Sequence, residues 1–133
     1  MSASDPVRIG INGFGRIGRC TLRAALENDD VQIVGINDVM DFEKMEYLTK
    51  YDSALGTLPY EVELAGDTLV VDGNEIDLLN TQSPEDLPWG DLDVDVAIES
   101  TGIFRTKDEA SAHLDAGAEK ALISAPPKGD KPV

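Results

Sequence analysis

Hydrophobic positions fall into short runs separated by polar breaks, and their spacing alternates between strand-like and helix-like. Val7-Arg8-Ile9-Gly10-Ile11 is an apolar-rich run of the kind that forms a buried parallel strand. From about Arg16 to Asn28 the spacing becomes helical. Ile17, Cys20 and Ala24, with Leu22 and Leu26, recur three or four apart and predict a wide buried face. Asn28-Asp29-Asp30 breaks that helix, and Val31–Ile36 predicts a second strand. Strand, glycine-rich turn, helix and strand in quick succession make a βαβ unit. Asp41 is placed to cap a second helix carrying Phe42, Met45 and Leu48 on one face.

The character changes from Leu58 to Leu79. Three short β-type runs, Tyr60–Leu64, Leu69–Val71 and Ile76–Leu79, are separated by Gly66-Asp67 and by Asp72-Gly73-Asn74. Those turn residues suit tight hairpins, so a small antiparallel excursion is expected at about 58–79. Val94–Ile98 returns to a core strand. Thr106-Lys107-Asp108-Glu109 fits a capping box that opens a helix through Ala110 and Leu114, and Gly117 would end it. Ala121–Ser124 is the last strand, stopped by Pro126-Pro127. No internal repeat or low-complexity tract interrupts this order. The pattern predicts an α/β fold with a doubly wound, mostly parallel sheet.

Composition narrows the classes. A chain of 133 residues is one domain or a piece of a larger one, and 41% hydrophobic residues suffice for a core. No apolar run approaches the roughly 18 residues of a membrane span. Met1 to Pro6 has neither a basic nor an apolar stretch of secretory type, so a cytoplasmic protein is expected. Cys20 and His113 stand alone of their kinds, which excludes an internal disulfide and the usual transition-metal clusters. The net charge of −15 would repel phosphate backbones, so no nucleic-acid partner is expected. The acids are spread along the chain. That is compatible with an ordinary acidic cytosolic protein, or with adaptation to high salt, where a carboxylate surface stays hydrated while its self-repulsion is screened.

Gly13-Phe14-Gly15-Arg16-Ile17-Gly18 is a G-x-G-x-x-G set directly after a strand and opening a helix. Alone the pattern is weak; in this context it is the dinucleotide-binding fingerprint of a Rossmann-type fold. Gly13 permits the tight turn, Gly15 lets backbone approach a pyrophosphate, and Gly18 lets the helix pack closely on the strand. The free N–H groups and positive dipole end of the helix face the anion. An acid is expected about 20 residues on, at the end of the second strand. Asp38 fits, with Asp41 the other acid nearby. A carboxylate there accepts hydrogen bonds from the adenosine ribose hydroxyls and repels a 2′-phosphate, favouring NAD over NADP.

Ile11-Asn12-Gly13-Phe14-Gly15-Arg16-Ile17-Gly18-Arg19 closely resembles the opening of glyceraldehyde-3-phosphate dehydrogenases. The likeness continues through Ile36-Asn37-Asp38, Tyr51-Asp52-Ser53, Trp89-Gly90-Asp91, Glu99–Phe104 and Ser124-Ala125-Pro126, in the order of that family's N-terminal half. The resemblance implies that Arg16 and Ile17 lie over the pyrophosphate through backbone N–H groups while Asn12 steadies the turn. It implies that Asp38 holds the adenosine ribose and that Asn80-Thr81-Gln82 lies by the adenine. The family often has Arg where Gln82 stands, so contact there would be through backbone. Ser100, Thr101, Gly102 and Phe104 would line the cofactor cleft, with Ser124 near the nicotinamide half.

In that family a thiolate attacks the aldehyde, a histidine takes the proton as hydride leaves for nicotinamide, and phosphate cleaves the thioester. The resemblance puts that cysteine, in a Ser-Cys-Thr-Thr-Asn motif, beyond Val133. Cys20, on the apolar stripe of the first helix, is expected to be a buried core thiol, and His113 a structural residue. No catalytic residue and no metal ligand is therefore assigned here. Residues 1–133 are expected to be an incomplete NAD-binding domain, inactive alone, whose catalytic domain would follow. The full-length protein would be a phosphorylating, homotetrameric enzyme of glycolysis or gluconeogenesis. An erythrose-4-phosphate-type dehydrogenase shares this half, and a stand-alone dinucleotide-binding module is the non-catalytic alternative.

Overall fold

A computed structural model of the chain describes residues 6–52, 56–81, 86–100 and 111–123. Within them the order is β1 (Val7–Asn12), α1 (Arg16–Leu26), β2 (Val31–Asn37), α2 (Phe42–Lys50), β3 (Tyr51–Asp52), β4 (Gly56–Thr57), β5 (Val62–Ala65), β6 (Thr68–Val71), β7 (Asn74–Leu79), β8 (Val96–Glu99), α3 (Ala112–Asp115) and β9 (Lys120–Ile123). The expected capping box at Thr106–Glu109 and the stop at Pro126-Pro127 lie outside the described residues.

The main sheet has seven strands in the order β5-β6-β7-β2-β1-β8-β9, and β3 pairs with β4 separately. From β7 through β9 every pairing is parallel, which confirms the doubly wound α/β architecture. The antiparallel excursion is present, but it is not a separate appendage. β7 pairs antiparallel with β6 on one edge and parallel with β2 on the other, so the hairpins extend the same sheet. Their second turn has positive φ at both Asp72 (51°) and Gly73 (82°), the geometry that suits a two-residue hairpin to the twist of its strands.

Alternation along the central strands sends side chains to two cores. Ile9, Ile11, Ile33 and Ile36 join Leu22 of α1 and Met45 of α2 on one face. Val34 and Ala97 meet Leu87, Trp89, Val94 and Ala118 on the other. The indole of Trp89 is fully buried over Gly10 and Gly35, which are register partners across β1 and β2. A methyl group at Gly10 would lie 2.7 Å from that ring, and one at Gly35 2.9 Å. Two adjacent strands, each bare of a side chain at this one position, thus make the floor on which the tryptophan lies.

The helix α1 corrects the expected face. Gly18 and Leu22 are its buried residues, Leu26 and Cys20 are half-buried, and Ile17 and Ala24 are exposed. The inward stripe runs through Gly18, Leu22 and Ala25, because a glycine is what fits against the strand. Cys20 is therefore flank rather than core. In α2, Met45 is buried as expected, with Phe42 and Leu48 half-buried, and Asp41 occupies the N-cap position without a side-chain capping bond.

Gly10→Ala is expected to lower stability by about 1–3 kcal/mol, the range for overpacking a filled core. Urea unfolding followed on Trp89 fluorescence reads this, and an unchanged midpoint contradicts the packing assignment.

Candidate functional site

The chain leaves β1 toward β2 on one side and later crosses to β8 on the other, so the carboxyl ends of β1 and β8 flank a topological switch point. The turn Gly13–Gly15 sits at that point. Its glycines have three different causes. Gly13 has φ of 102°, a conformation that side chains rarely adopt. At Gly18 a Cβ would meet the Gly13 carbonyl oxygen at 2.2 Å, so helix and turn touch backbone to backbone. Gly15 has an ordinary φ of −82°, and a Cβ there would meet nothing within 4 Å. Among the described residues no atom requires that glycine, and open space lies above it.

Gly15 also begins α1, an 11-residue helix with no acidic residue in its first turn. The first N–H groups of a helix lack intrahelical partners and carry its positive dipole end. Arg16, Arg19 and Arg23 add positive charge along the same helix, which has no acid, within a chain of net charge −15. Arg19 also braces the turn from below. Its Nε donates to Asp52 at 2.7 Å, and a guanidinium N–H donates to the Phe14 carbonyl at 3.0 Å.

Asp38 follows β2 directly. One carboxylate oxygen accepts the Phe14 N–H at 2.6 Å, and the other accepts the N–H groups of Val39 (2.7 Å) and Met40 (3.2 Å). About four acceptor positions are available on a carboxylate, so three bonds leave room for a further donor. Across the switch point, Ser100 donates its backbone N–H to the Asn12 carbonyl at 2.8 Å and its hydroxyl to the Gly13 carbonyl at 2.7 Å. The turn is thus held from β2, from β8 and from α1.

Beneath these contacts runs a buried polar chain. Trp89 Nε1 donates to His113 Nδ1 at 3.0 Å, and His113 Nε2 lies 2.7 Å from Glu99 Oε1. Asn12 Nδ2 donates to the same Glu99 oxygen at 2.7 Å, while Asn12 Oδ1 accepts Asn37 Nδ2 at 2.8 Å. Asn37 closes on the Thr81 peptide, accepting its N–H and donating to its carbonyl, both at 2.8 Å. Among the described residues no buried side-chain nitrogen or oxygen lacks a partner.

The structure brings together Asn12, Gly13, Phe14, Gly15, Arg16, Ile17, Gly18, Asp38 and Ser100 of the residues expected from sequence. Gln82, Thr101, Gly102, Phe104 and Ser124 lie outside the described residues. Asp41, the competing acid, is exposed at the start of α2, and the described contacts to the glycine turn come from Asp38. Cys20 lies half-buried on α1, and His113 has both ring nitrogens engaged inside the core, so neither is presented at the crevice. Sequence reasoning missed Glu99 and Asn37 as polar anchors. Their signal was a polar residue ending each apolar strand run.

Residues 7–107 match the family described as glyceraldehyde 3-phosphate dehydrogenase, NAD binding domain. A glyceraldehyde-3-phosphate dehydrogenase of Haloarcula vallismortis is 58% identical over 98% of this chain and 39% of its own length. That of Geobacillus stearothermophilus is 49% identical over 93% of this chain and 37% of its own length. The cytosolic form of Trypanosoma brucei brucei is 47% identical over 96% of this chain and 38% of its own length. The chain thus spans under two-fifths of the length of these curated relatives. It belongs to the glyceraldehyde-3-phosphate dehydrogenase NAD-binding-domain family.

The different causes of the glycines separate in stability. Gly18→Ala is expected to destabilise by about 2 kcal/mol through overpacking against backbone, whereas Gly15→Ala stays within about 1 kcal/mol of wild type. Equal losses in thermal melts of the two variants would contradict the assignment.

Proposed function

We propose that this family member holds NAD across the carboxyl ends of β7, β2, β1 and β8, with the pyrophosphate over Gly13–Gly18 and the adenosine ribose on Asp38. The observation that carries this reading is Gly15, a glycine that no contact within the described residues requires, at the start of a helix without acids. Backbone N–H groups of Arg16 and Ile17 face that space, and an anion there is stabilised by the helix end. Ile17 is 49% exposed beside the turn and offers an apolar surface to a ring. Val39, 65% exposed next to Asp38, does the same on the adenosine side. Asn12 and Ser100 hold the turn from beneath. Gln82, Thr101, Gly102, Phe104 and Ser124 complete the proposed site on the strength of the sequence resemblance.

Bound NAD supplies the hydride acceptor. Of this half's work, the described residues position the pyrophosphate and fix the ribose, while Ser100 and Arg19 occupy the carbonyls of Gly13 and Phe14. In the whole protein we assign the phosphorylating oxidation of glyceraldehyde 3-phosphate, rather than that of erythrose 4-phosphate, because the relatives above share the first name. We further propose a homotetrameric, cytoplasmic enzyme, the trypanosomal relative being named cytosolic. Residues 1–133 belong to its cofactor domain and turn over no substrate by themselves, since neither Cys20 nor His113 is placed for nucleophilic or base chemistry.

The high-salt reading of the −15 charge is retained as part of this proposal. At 1 M salt the screening length falls to about 3 Å, which removes most repulsion between surface carboxylates. The melting temperature is therefore expected to rise from dilute buffer to molar KCl, and a flat or falling profile in thermal scans would end that reading.

The cofactor assignment is tested by calorimetric titration of Asp38→Ala with NAD and NADP. Loss of a charged acceptor of this kind is worth about 1.5–3 kcal/mol, so NAD affinity is expected to fall by roughly 10- to 100-fold. The preference for NAD over NADP should narrow at the same time. Unchanged NAD affinity sinks the assignment.

A further inference from the structure

The buried polar chain has a direction set at one end. An indole N–H donates and cannot accept, so Trp89 obliges His113 Nδ1 to be the acceptor. The ring proton then sits on Nε2 and points at Glu99 Oε1. With that oxygen accepting, Asn12 must present its NH2 to Glu99 and its carbonyl to Asn37. Asn37 in turn presents NH2 to Asn12 and to the Thr81 carbonyl, leaving its own oxygen for the Thr81 N–H. Reversing any one amide would set two acceptors or two donors against each other in the core. His113, Glu99, Asn12 and Asn37 are all at most 3% exposed, where such a mismatch is costly.

The far end of this chain is the proposed cofactor site. Asn12 immediately precedes Gly13, Asn37 immediately precedes Asp38, and Thr81 follows the end of β7. These strand tips are held at the same relative height by side-chain bonds that cross from β8 to β7. Apolar residues at the same places would fill the core equally well and impose no orientation on the tips.

We propose that His113 and Glu99 are positioning residues for the dinucleotide: a directional relay anchored on the Trp89 indole fixes the amides of Asn12 and Asn37, and these set the glycine turn and Asp38 in register with each other. The proposal rests on the cofactor reading above. It adds that residues which do not touch the dinucleotide determine its affinity. They act through amide orientation, separately from their share in stability.

His113→Phe keeps a ring of similar size and removes both nitrogens; His113→Gln keeps one acceptor and one donor. Leu69→Ala, in the core beneath β6 and away from the strand tips, supplies a stability control. NAD dissociation constants are measured well below every melting temperature. Taking the His113 ring nitrogens away from the buried Trp89 N–H and Glu99 is expected to weaken NAD binding about tenfold or more in His113→Phe. His113→Gln should recover part of the loss, and Leu69→Ala should stay within about twofold of wild type, since it leaves the relay intact. If His113→Phe binds as wild type does, or if affinity merely tracks melting temperature across the three variants, the proposal is overturned. Should His113→Phe not fold, the single indole N–H resonance of the wild-type chain decides. It is expected to move on saturation with NAD, and a resonance that stays in place overturns the relay. Wild-type titration keeps the two readings apart. Absent NAD binding overturns both, whereas normal wild-type binding with an insensitive His113→Phe overturns the relay alone.

Discussion

A donor that cannot accept lies at the root of this architecture. The carboxyl ends of parallel strands must leave the core somewhere, and here they leave it through polar residues that water does not reach. Asn12, Asn37 and Glu99 would each be a liability if left unpaired at that depth. They are tolerable as a set because the Trp89 indole N–H starts a sequence of bonds with one consistent polarity, and the Thr81 peptide ends it. The same tryptophan fills the second core, so polar order and apolar packing meet in one side chain.

The electrostatics are arranged at two scales. Over the whole chain acids exceed bases, with 26 Asp and Glu against 11 Lys and Arg, so an anionic ligand approaches a repulsive body. Close in, the balance is reversed at one element. α1 has arginines and no acids, its dipole adds positive potential at Gly15, and the carboxylate in contact with the glycine turn, Asp38, is already engaged by backbone N–H groups. Dipoles and bonds at contact distance outweigh diffuse charge that salt screens beyond roughly 8–10 Å. A strongly acidic protein can therefore serve an anionic ligand.

What was legible in the sequence was whatever the backbone itself encodes. Gly13 and the Asp72-Gly73 turn adopt conformations that few other residues do, Gly18 leaves no room for a Cβ, and the acid after β2 stands at a set interval from the glycines, so they could be placed from the letters alone. The buried side of α1 was only partly legible by apolar spacing, which found Leu22 and Leu26. Its centre is Gly18, and a glycine contributes nothing to a hydrophobic periodicity while Ile17 and Ala24 contribute to the wrong one. The relay was hidden for a different reason. Its members lie between 14 and 87 residues apart along the chain where they bond across the fold, and a polar residue after an apolar run looks the same whether it begins a loop or ends in a core. His113 was legible as structural, but not as a group with both nitrogens committed.

The tryptophan lying on two glycines also bears on how such a sequence can diverge. Positions 10, 35 and 89 share one volume, with separations too short to admit even a methyl on either strand. Each glycine is constrained only as long as the indole is there, and the indole fits only as long as both glycines are. The three positions therefore count as a single coupled choice. A lineage that enlarges residue 10 or 35 must first accept a smaller side chain at 89, and with it the loss of the donor that orients the strand tips. Drift at this face of the sheet is blocked one step at a time, although none of the three is among the residues proposed to hold the dinucleotide.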